Sequence, residues 1–280
     1  MSKDKDSTKV ILFNLLCEFD KVCKTHGIRY SLDSGTLLGA IRHEGFIPWD
    51  DDIDVIVPRP DYDELMQHPD WFDGPYELLK PLQGESVHPF AKVIDRRWRA
   101  QEPSLMGVVE EHIWMDIFPV DAVPEDLRDA EALCRKQMRI MAVGSRSLTG
   151  VGALPRGSLK RLIKAMLSPV HRWMFPYKKM FKLLDRNARA RKYGSTEFVA
   201  NLTWLNVPKD RWIPERDFDS LCKVKFEGSE FNAIPHWDDY LKGLYGDYMM
   251  LPSPEKRVGH TYQIVKSVEI GEDKIDSELR

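Results

Sequence analysis

The sequence predicts an α+β fold, in which a mixed sheet is flanked by helices and carries an inserted basic helical region. Short strand patterns and helical patterns alternate along the 280 residues, which favours a mixed fold over a sandwich or a helical bundle. Hydrophobic residues make up 42% of the chain and charged residues 30%, as in a globular protein. We expect a single domain over residues 1–280, with the basic insertion at about 144–193.

The first half of the chain predicts helices and strands in turn. Apolar residues recur at every third or fourth position between residues 8 and 26, and Gly27 then favours a helix end. Proline and acids at 60–67 suit the first turn of a further helix. The remaining elements are a short helix over 35–45 and strands over 28–34, 52–58, 76–80, 90–95 and 112–121, the last stopped at Pro119.

The second half predicts a long helix over 124–141, a hairpin over 223–235 and a helix over 237–245. The segment between them is different in charge. Residues 156 to 192 contain twelve Lys or Arg and one acid, Asp185, interleaved with apolar side chains. We expect inserted helices here, broken at Pro169 and Pro176.

Composition also limits the function and the location. A formal net charge of −3 gives no electrostatic signature of nucleic-acid binding, so we expect no nucleic-acid partner. The four cysteines have no metal-binding spacing, which favours reduced thiols and a cytoplasmic protein. The polar N-terminus is unlike a signal peptide, and no run of about 18 apolar residues predicts a spanning helix.

The stretch "IPWDDDIDVIVP" places aspartates at the start of an apolar strand. Because side chains alternate along a strand, Asp52 and Asp54 share one face, while Ile53, Val55 and Val57 share the other. Two carboxylates on one face are costly unless a cation lies between them or one is protonated. Hard divalent cations prefer oxygen ligands, so this pair predicts a Mg²⁺ site that also accepts Mn²⁺.

Asp116 is the candidate for a third acid. It is an isolated acid in the apolar run "HIWMDIFPVD", which we expect to form a neighbouring strand. Each feature has a simpler interpretation: acids before a strand often form a solvated loop, and an isolated strand aspartate is often only hydrogen-bonded. Asp50 and Asp51 remain unassigned, since their faces depend on where the strand begins.

Upstream, "SLDSGTLLG" passes from a strand through small residues into a helix. Such a turn presents free backbone N–H groups and a hydroxyl to an anion, so Gly35 and Thr36 are candidate phosphate-binding residues. The order of strand, small-residue turn, helix, Asp-x-Asp strand and later aspartate resembles the nucleotidyltransferase superfamily. There the turn holds phosphate and three carboxylates hold Mg²⁺.

Longer stretches resemble one family, the LicD family. The first, "YSLDSGTLLGAIRHEGFIPWDDDIDVIVPRPDYDEL", is similar to its signature, and "WMDIFPVD" is similar to its second block. The third, "FEGSEFNAIPHWDDYLKGLYGDYMMLPSPEKRVGH", is similar to its C-terminal block. The resemblance covers roughly residues 10–120 and 222–260, and leaves the basic middle segment unmatched.

The resemblance implies a nucleotidyltransferase-like catalytic domain and a metal-dependent phosphotransferase. Such an enzyme moves a phosphorylated alcohol from a CDP-activated donor to a sugar hydroxyl and releases CMP. Phosphocholine transfer from CDP-choline to lipopolysaccharide, teichoic acid or capsule is the best-known activity of the family, and the similar fukutin-related proteins use CDP-ribitol. By this resemblance Asp52, Asp54 and Asp116 are catalytic, and Asp116 completes the metal site or acts as the base.

Basic side chains are expected to offset the remaining phosphate charge. Arg42 follows the small-residue turn, Lys92 lies within the strand "FAKVID", and Arg257 and His260 lie in "KRVGH". The simpler interpretation makes Lys92 an edge-strand charge and the other three surface residues.

Two alternatives to the phosphotransferase stay open at this point. One is a nucleotidyltransferase that passes the nucleotide itself to a sugar or protein acceptor, and the other is a non-catalytic binding protein. The basic segment has three interpretations: a solvated helical face, peripheral contact of residues 156–192 with an anionic inner membrane face, or binding of an acidic glycan or lipid-linked acceptor.

Overall fold

The computed structural model describes residues 2–83, 86–101, 111–148, 159–203, 211–257, 259 and 263–266. The α-helices in these ranges are α1 Ser2–His26, α2 Ser34–His43, α3 Arg59–Gln67, α4 Leu127–Leu148, α5 Leu159–Met174, α6 Tyr177–Ala188 and α7 Trp237–Tyr245. The strands are β1 Ser31–Leu32, β2 Asp54–Pro58, β3 Tyr76–Leu79, β4 Ala91–Gln101, β5 Glu111–Ala122, β6 Phe198–Ala200, β7 Ile213–Pro214, β8 Cys222–Phe226, β9 Ser229–Ala233 and β10 Gln263–Lys266.

A mixed sheet of eight strands forms the centre of the fold. Its main path runs β1-β2-β5-β4-β10, while β3 pairs with β4 and β6 links β5 to β7. The strands β2 and β5 are parallel, and their other neighbours are antiparallel. The predicted α+β fold with a mixed sheet flanked by helices is confirmed.

The core lies between the sheet and its helices. The helical period of α1 brings Leu15, Leu16 and Phe19 onto one face, where all three are fully buried. That face packs against β4 and β5, and it meets strand residues such as Val55 and Ile117 in one apolar cluster. The helix α1 therefore covers one face of the sheet at its centre.

Pro119 does not end the strand that carries Asp116, contrary to the sequence-based prediction. The backbone N–H of Asp116 donates to the carbonyl of Ile53 on the β2 side. By alternation, the nitrogen of residue 119 faces the opposite side, where β4 begins with Ala91 opposite Ile117. Proline there removes no ladder hydrogen bond, so β5 continues to Ala122.

Two other predicted strand boundaries are too wide. The strand predicted over 28–34 is reduced to β1, two residues long. The strand predicted over 52–58 begins at Asp54, so Asp52 lies in the preceding loop. Alternation along a strand consequently does not determine the direction of the Asp52 side chain.

The predicted hairpin is confirmed as β8 and β9. Its two loop residues, Glu227 and Gly228, both have positive φ, as a two-residue turn that matches the strand twist requires. The Glu227 carboxylate accepts a hydrogen bond of 3.0 Å from the N–H of Phe46, just beyond the end of α2. This contact attaches the hairpin to the helix that follows the small-residue turn.

The middle of the chain is helical, with boundaries that differ from those predicted. The helix α4 continues to Leu148, and α5 passes through Pro169 with the loss of one helical hydrogen bond. The prediction of a break at Pro169 was therefore wrong, whereas α6 does begin after Pro176.

A charged network attaches α6 to the sheet. The buried Arg59 donates Nε and Nη2 to the Asp121 carboxylate at 2.7 and 2.5 Å, and its Nη1 lies 3.1 Å from Asp185. Arg189 pairs with both Asp185 and Asp63. These contacts join β5, α3 and α6 into one body.

Two further observations concern the chain as a whole. All four cysteines are free thiols. Within the described ranges, none of the helices combines the length and the apolar character needed to cross a bilayer.

Candidate active site

Asp54, Asp116 and Lys92 form a row across three adjacent strands. Asp54 of β2 pairs in parallel register with Asp116 of β5, and Lys92 of β4 pairs with Asp116 from the other side. Directly paired residues point to the same face of a sheet. The Lys92 Nζ lies 3.9 Å from Asp116 Oδ1 and 3.8 Å from the ring centroid of Trp114. The fold thus gathers two of the predicted acids and one of the predicted cations.

The loop before β2 contains Asp50, Asp51 and Asp52, and this aspartate loop adds negative charge next to Asp54. Asp52 and Asp50 are half-buried, and Asp51 is 9% exposed. Burial is the largest cause that raises the pKa of Asp54, followed by the neighbouring charges of Asp52, Asp116, Asp33 and Asp50. Five carboxylates consequently share one partly desolvated space, and Asp50, left unassigned by sequence, belongs to it.

The small-residue turn before α2 positions the backbone of Asp54. The N–H of Asp54 donates to the Thr36 hydroxyl oxygen at 2.9 Å, and the N–H of Asp33 donates to the Asp54 carbonyl at 3.0 Å. The Asp50 carboxylate lies so close to Gly35 that a Cβ there would require the Asp50 side chain to move. Thr36 therefore aligns a metal-ligand candidate, and phosphate binding by Gly35 and Thr36 stays a prediction.

Asp33 and two tyrosines are site residues that the sequence analysis did not single out. Asp33 is fully buried, and burial raises its pKa although the Tyr240 hydroxyl donates to its Oδ1 at 2.6 Å. Burial also raises the pKa of Tyr245, helped by the nearby charges of Asp33, Asp54, Asp50 and Asp52. An isolated acid at the end of a strand could have drawn attention to Asp33, as it did to Asp116.

The helix α7 brings both tyrosines to the acids. Tyr240 and Tyr245 lie five residues apart on it and look like ordinary apolar positions of an amphipathic helix. Tyr245 is 45% exposed and lies in the field of the carboxylates, which places it at the rim of the site.

Of the predicted basic residues outside the sheet, Arg257 contacts the loop before Asp54, and Arg42 contacts the segment after α7. Arg42 donates Nη1 to the Tyr248 carbonyl at 2.5 Å, which connects the end of α2 to the segment after α7. The Arg257 guanidinium lies 5.3 Å from the ring centroid of Trp49 and donates Nε to the Pro252 carbonyl at 2.9 Å. The C-terminal block is therefore packed against the loop that precedes Asp54.

Two other observations define what lies next to Arg257. Gly259 contacts the same loop so closely that a Cβ there would collide with the Trp49 carbonyl. His260, also predicted to bind phosphate, lies outside the described residues.

A cavity of about 490 Å³ opens beside α7. Aromatic and charged groups line it, among them Trp212, His236 and Asp217, and the last two are joined by a hydrogen bond of 2.8 Å. Tyr240 lines the same cavity while its hydroxyl holds Asp33. A volume of this size accommodates part of a small ligand, and Tyr240 connects the cavity to Asp33.

The residues present suit a hard divalent cation by their chemistry. Carboxylate oxygens are the preferred ligands of Mg²⁺, and the charge that raises the pKa of Asp54 is the charge that such an ion would offset. In the part of the chain that the structure describes, no three acidic, histidine or cysteine side chains converge as a complete ligand set. The register of β2 and β5 thus aligns Asp54 with Asp116. The carboxylate side chains would have to rotate before they could surround an ion.

An α+β sheet with acids on paired parallel strands and a small-residue turn beside them fits the nucleotidyltransferase-fold transferases. Residues 27–125 match the family model described as LicD/FKTN/FKRP, nucleotidyltransferase domain. The chain is 30% identical over 261 residues to the lipopolysaccharide cholinephosphotransferase LicD of Haemophilus influenzae, covering 91% of this chain and 95% of that protein. This chain belongs to the LicD family, and it is a transferase.

Two shorter similarities add to this comparison. The uncharacterized protein RP689 of Rickettsia prowazekii is 41% identical over 56 residues, which is 20% of this chain and 21% of that protein. The uncharacterized protein RT0683 of Rickettsia typhi is 42% identical over 50 residues, which is 18% of this chain and 16% of that protein. The suspected family membership is confirmed by the long similarity to LicD.

Proposed function

We propose that the chain transfers a phosphorylated alcohol, in the first instance phosphocholine, from a CDP-activated donor to a hydroxyl of a cell-surface glycan or its lipid-linked precursor. CMP is the second product. The row of Asp54, Asp116 and Lys92 is the observation that carries this proposal. Similarity to a lipopolysaccharide cholinephosphotransferase over nearly its whole length supports the choice of phosphocholine and glycan.

The reaction is an in-line displacement at the phosphorus that bears the alcohol. The acceptor hydroxyl oxygen forms a new bond to that phosphorus, while the bond to the bridging oxygen of the pyrophosphate breaks. The bridging oxygen leaves with CMP, and the hydroxyl proton passes to a carboxylate of the acid cluster. Asp116 is the candidate proton acceptor, because the register of β5 fixes its carboxylate on the same face of the sheet as the metal-ligand candidate Asp54.

Asp52, Asp54 and Asp116 would hold Mg²⁺, with Mn²⁺ as an acceptable substitute. The bound ion supplies neutralisation of the pyrophosphate charge and polarisation of the attacking hydroxyl. The protein's own contribution is alignment: Thr36 and Asp33 hold the backbone of Asp54 on both sides through hydrogen bonds. The fixed register of β2 and β5 does the same for Asp116.

Phosphate charge has further partners around this row. Lys92 is 2% exposed and packs over Trp114, so its ammonium group is held in place beside Asp116. The backbone of Gly35 and Thr36 begins α2, and free N–H groups at a helix start bind anions. Arg42 and Arg257 lie at the periphery, where they are candidates for contact with a donor phosphate.

The proposal includes a reaction on the cytoplasmic side of a membrane, and four free thiols are compatible with that location. A lipid-linked glycan precursor would then be reached at the inner face.

The donor and the products test the proposal. A thermal-shift screen with CDP-choline, CDP-ribitol, CDP-glycerol and CDP-ethanolamine in the presence of Mg²⁺ identifies the donor. Incubation of that donor with purified lipopolysaccharide should then yield free CMP and a phosphoalcohol on the glycan. A nucleotidylated acceptor or no reaction with any of the four donors would contradict the proposed transfer.

A further inference from the structure

The helix α5 exposes a stripe of large apolar side chains. These side chains are Leu159, Ile163, Met166, Leu167, Val170, Trp173 and Met174. Their exposures range from 47% to 80%, and the highest is that of Trp173. Scattered apolar residues on a surface are ordinary, but a contiguous apolar patch marks a contact surface.

The stripe follows one face of the helix. Its members recur at steps of three and four residues, which places them above one another along α5. The sequence fills the remaining positions with basic, small or neutral residues, including Lys160, Arg161 and Lys164, and α5 contains no Asp or Glu. A helix with one apolar face and only basic charges has the pattern of helices that lie in a membrane interface.

Polar contacts turn the stripe away from the rest of the protein. Arg172 donates Nε to the Ser147 carbonyl at 2.9 Å, and the Ser147 hydroxyl lies 3.0 Å from His171 Nδ1. The same hydroxyl donates to the carbonyl of Phe175, immediately after α5. Since the polar side of α5 is fastened to the end of α4, the opposite apolar side faces outward.

The neighbouring helix α6 extends the basic surface. Lys178, Lys179, Lys182 and Arg186 are all exposed. The single acid of the region, Asp185, is paired with Arg59 and Arg189 in the network that holds α6 to the sheet. The exposed side of α6 therefore carries an excess of positive charge, within a chain of net charge −3.

We propose that α5 docks on an anionic membrane, with its apolar stripe in the acyl boundary and the exposed basic residues of α6 against lipid phosphates. Charge complementarity selects this occupant, because an anionic surface matches a helix pair rich in Lys and Arg. A second copy of the chain on the same face would bring two basic surfaces together. Trp173, at the end of the stripe, is the residue type that anchors at the level of the headgroups.

Co-sedimentation of the full chain with vesicles tests this surface without any measurement of turnover. The wild type should pellet with vesicles that contain phosphatidylglycerol and remain in the supernatant with pure phosphatidylcholine. The double variant Met166→Glu/Leu167→Glu should lose at least tenfold in vesicle binding. The matched control Leu127→Glu/Met138→Glu changes two exposed apolar residues of α4, 45% and 39% exposed, and should bind as the wild type does.

Several outcomes would overturn the membrane surface. One is a wild type that stays in the supernatant with anionic vesicles at low salt, where charge attraction is strongest. Another is a Met166→Glu/Leu167→Glu variant that pellets as fully as the wild type. A third is analytical ultracentrifugation in which the wild type is a dimer and this variant a monomer, since the stripe would then be covered by a second copy. Unchanged circular dichroism spectra establish that the variants are folded.

Discussion

Asp54 and Asp116 stand directly opposite each other in two parallel strands, although they lie far apart in the sequence. The N–H of Asp116 donates to the Ile53 carbonyl at 2.8 Å, which fixes the register at this point. A slip of one residue would turn the Asp116 side chain to the other face of the sheet. The pairing of these two carboxylates is therefore a property of the sheet itself, and several consequences can be measured.

Removing the charge of Asp54 should stabilise the metal-free protein at alkaline pH. Burial and the neighbouring acids raise the pKa of Asp54. Its contribution to the free energy of unfolding is present below the unfolded pKa of about 4 and is lost as pH rises through the higher folded pKa. In EDTA, urea unfolding should show Asp54→Asn more stable than the wild type at pH 8, with a smaller difference at pH 5.

The exposed Asp73 supplies the control for that comparison. Asp73→Asn should follow the wild-type dependence of stability on pH. An Asp54→Asn variant less stable than the wild type at pH 8 would contradict the repulsion among these carboxylates.

Replacing Thr36 should disturb Asp54. The change Thr36→Val keeps the shape of the side chain and removes the oxygen that accepts the Asp54 N–H. A buried N–H without its acceptor costs about 1–3 kcal/mol, so urea unfolding should show a loss of that size together with lower turnover. Thr36→Ser retains the oxygen, so its stability and turnover should be close to those of the wild type. Equal losses in Thr36→Val and Thr36→Ser would contradict the role of the Thr36 hydroxyl as the acceptor of the Asp54 N–H.

Replacing Lys92 should affect catalysis more than stability. Lys92→Met keeps an apolar contact with Trp114 and removes the cation beside Asp116. Loss of one aligned electrostatic group typically lowers turnover by about 10²-fold, which steady-state CMP release can measure. Lys223→Met, on the exposed side of β8, is the matched control and should retain full turnover. Wild-type turnover in Lys92→Met would leave Lys92 only a packing role.

The hydrogen bond from Tyr240 to Asp33 should make stability depend on pH. Tyr240→Phe removes the donor to a buried carboxylate whose pKa is already raised by burial. The carboxylate form needs this donor most, so the loss of stability, about 1–3 kcal/mol, should be greater at pH 8 than at pH 5. Thermal unfolding across this range measures it.

Tyr248→Phe is the control for the tyrosine experiment, because Tyr248 makes the same bond to the partly exposed Asp238. That bond is accessible to water, so its removal should cost less at every pH. Equal losses of stability in the two variants would show that the burial of Asp33 does not determine how much its hydrogen bond to Tyr240 contributes.

The sequence predicted those features that depend on local pattern. Helical periodicity located α1 and α7, and the Glu227–Gly228 pair located the hairpin. An isolated acid in an apolar run was enough to single out Asp116 and to place it on a strand next to Asp54. The same reasoning applied to Asp33 would have added it to the cluster.

The features that were missed depend on long-range packing. The Tyr240 hydroxyl and Asp33 are 207 residues apart in the chain, and nothing local marks the contact. The strand through Pro119 continues because β4 begins opposite Ile117 and does not extend to Pro119, which is a property of the sheet and not of the proline. The loop position of Asp52 likewise follows from where β2 pairs with β5.

The most direct test of the acid site is CMP release from CDP-choline with lipopolysaccharide as the acceptor, for the wild type and Asp116→Asn, in Mg²⁺ and in EDTA. The wild type should release CMP only with Mg²⁺, and Asp73→Asn should match it. The Asp116→Asn variant should be folded and lose turnover by about 10³-fold or more, since it removes both a charge and a proton acceptor. Wild-type turnover in Asp116→Asn, or full activity in EDTA, would contradict an acid site built on the paired strands.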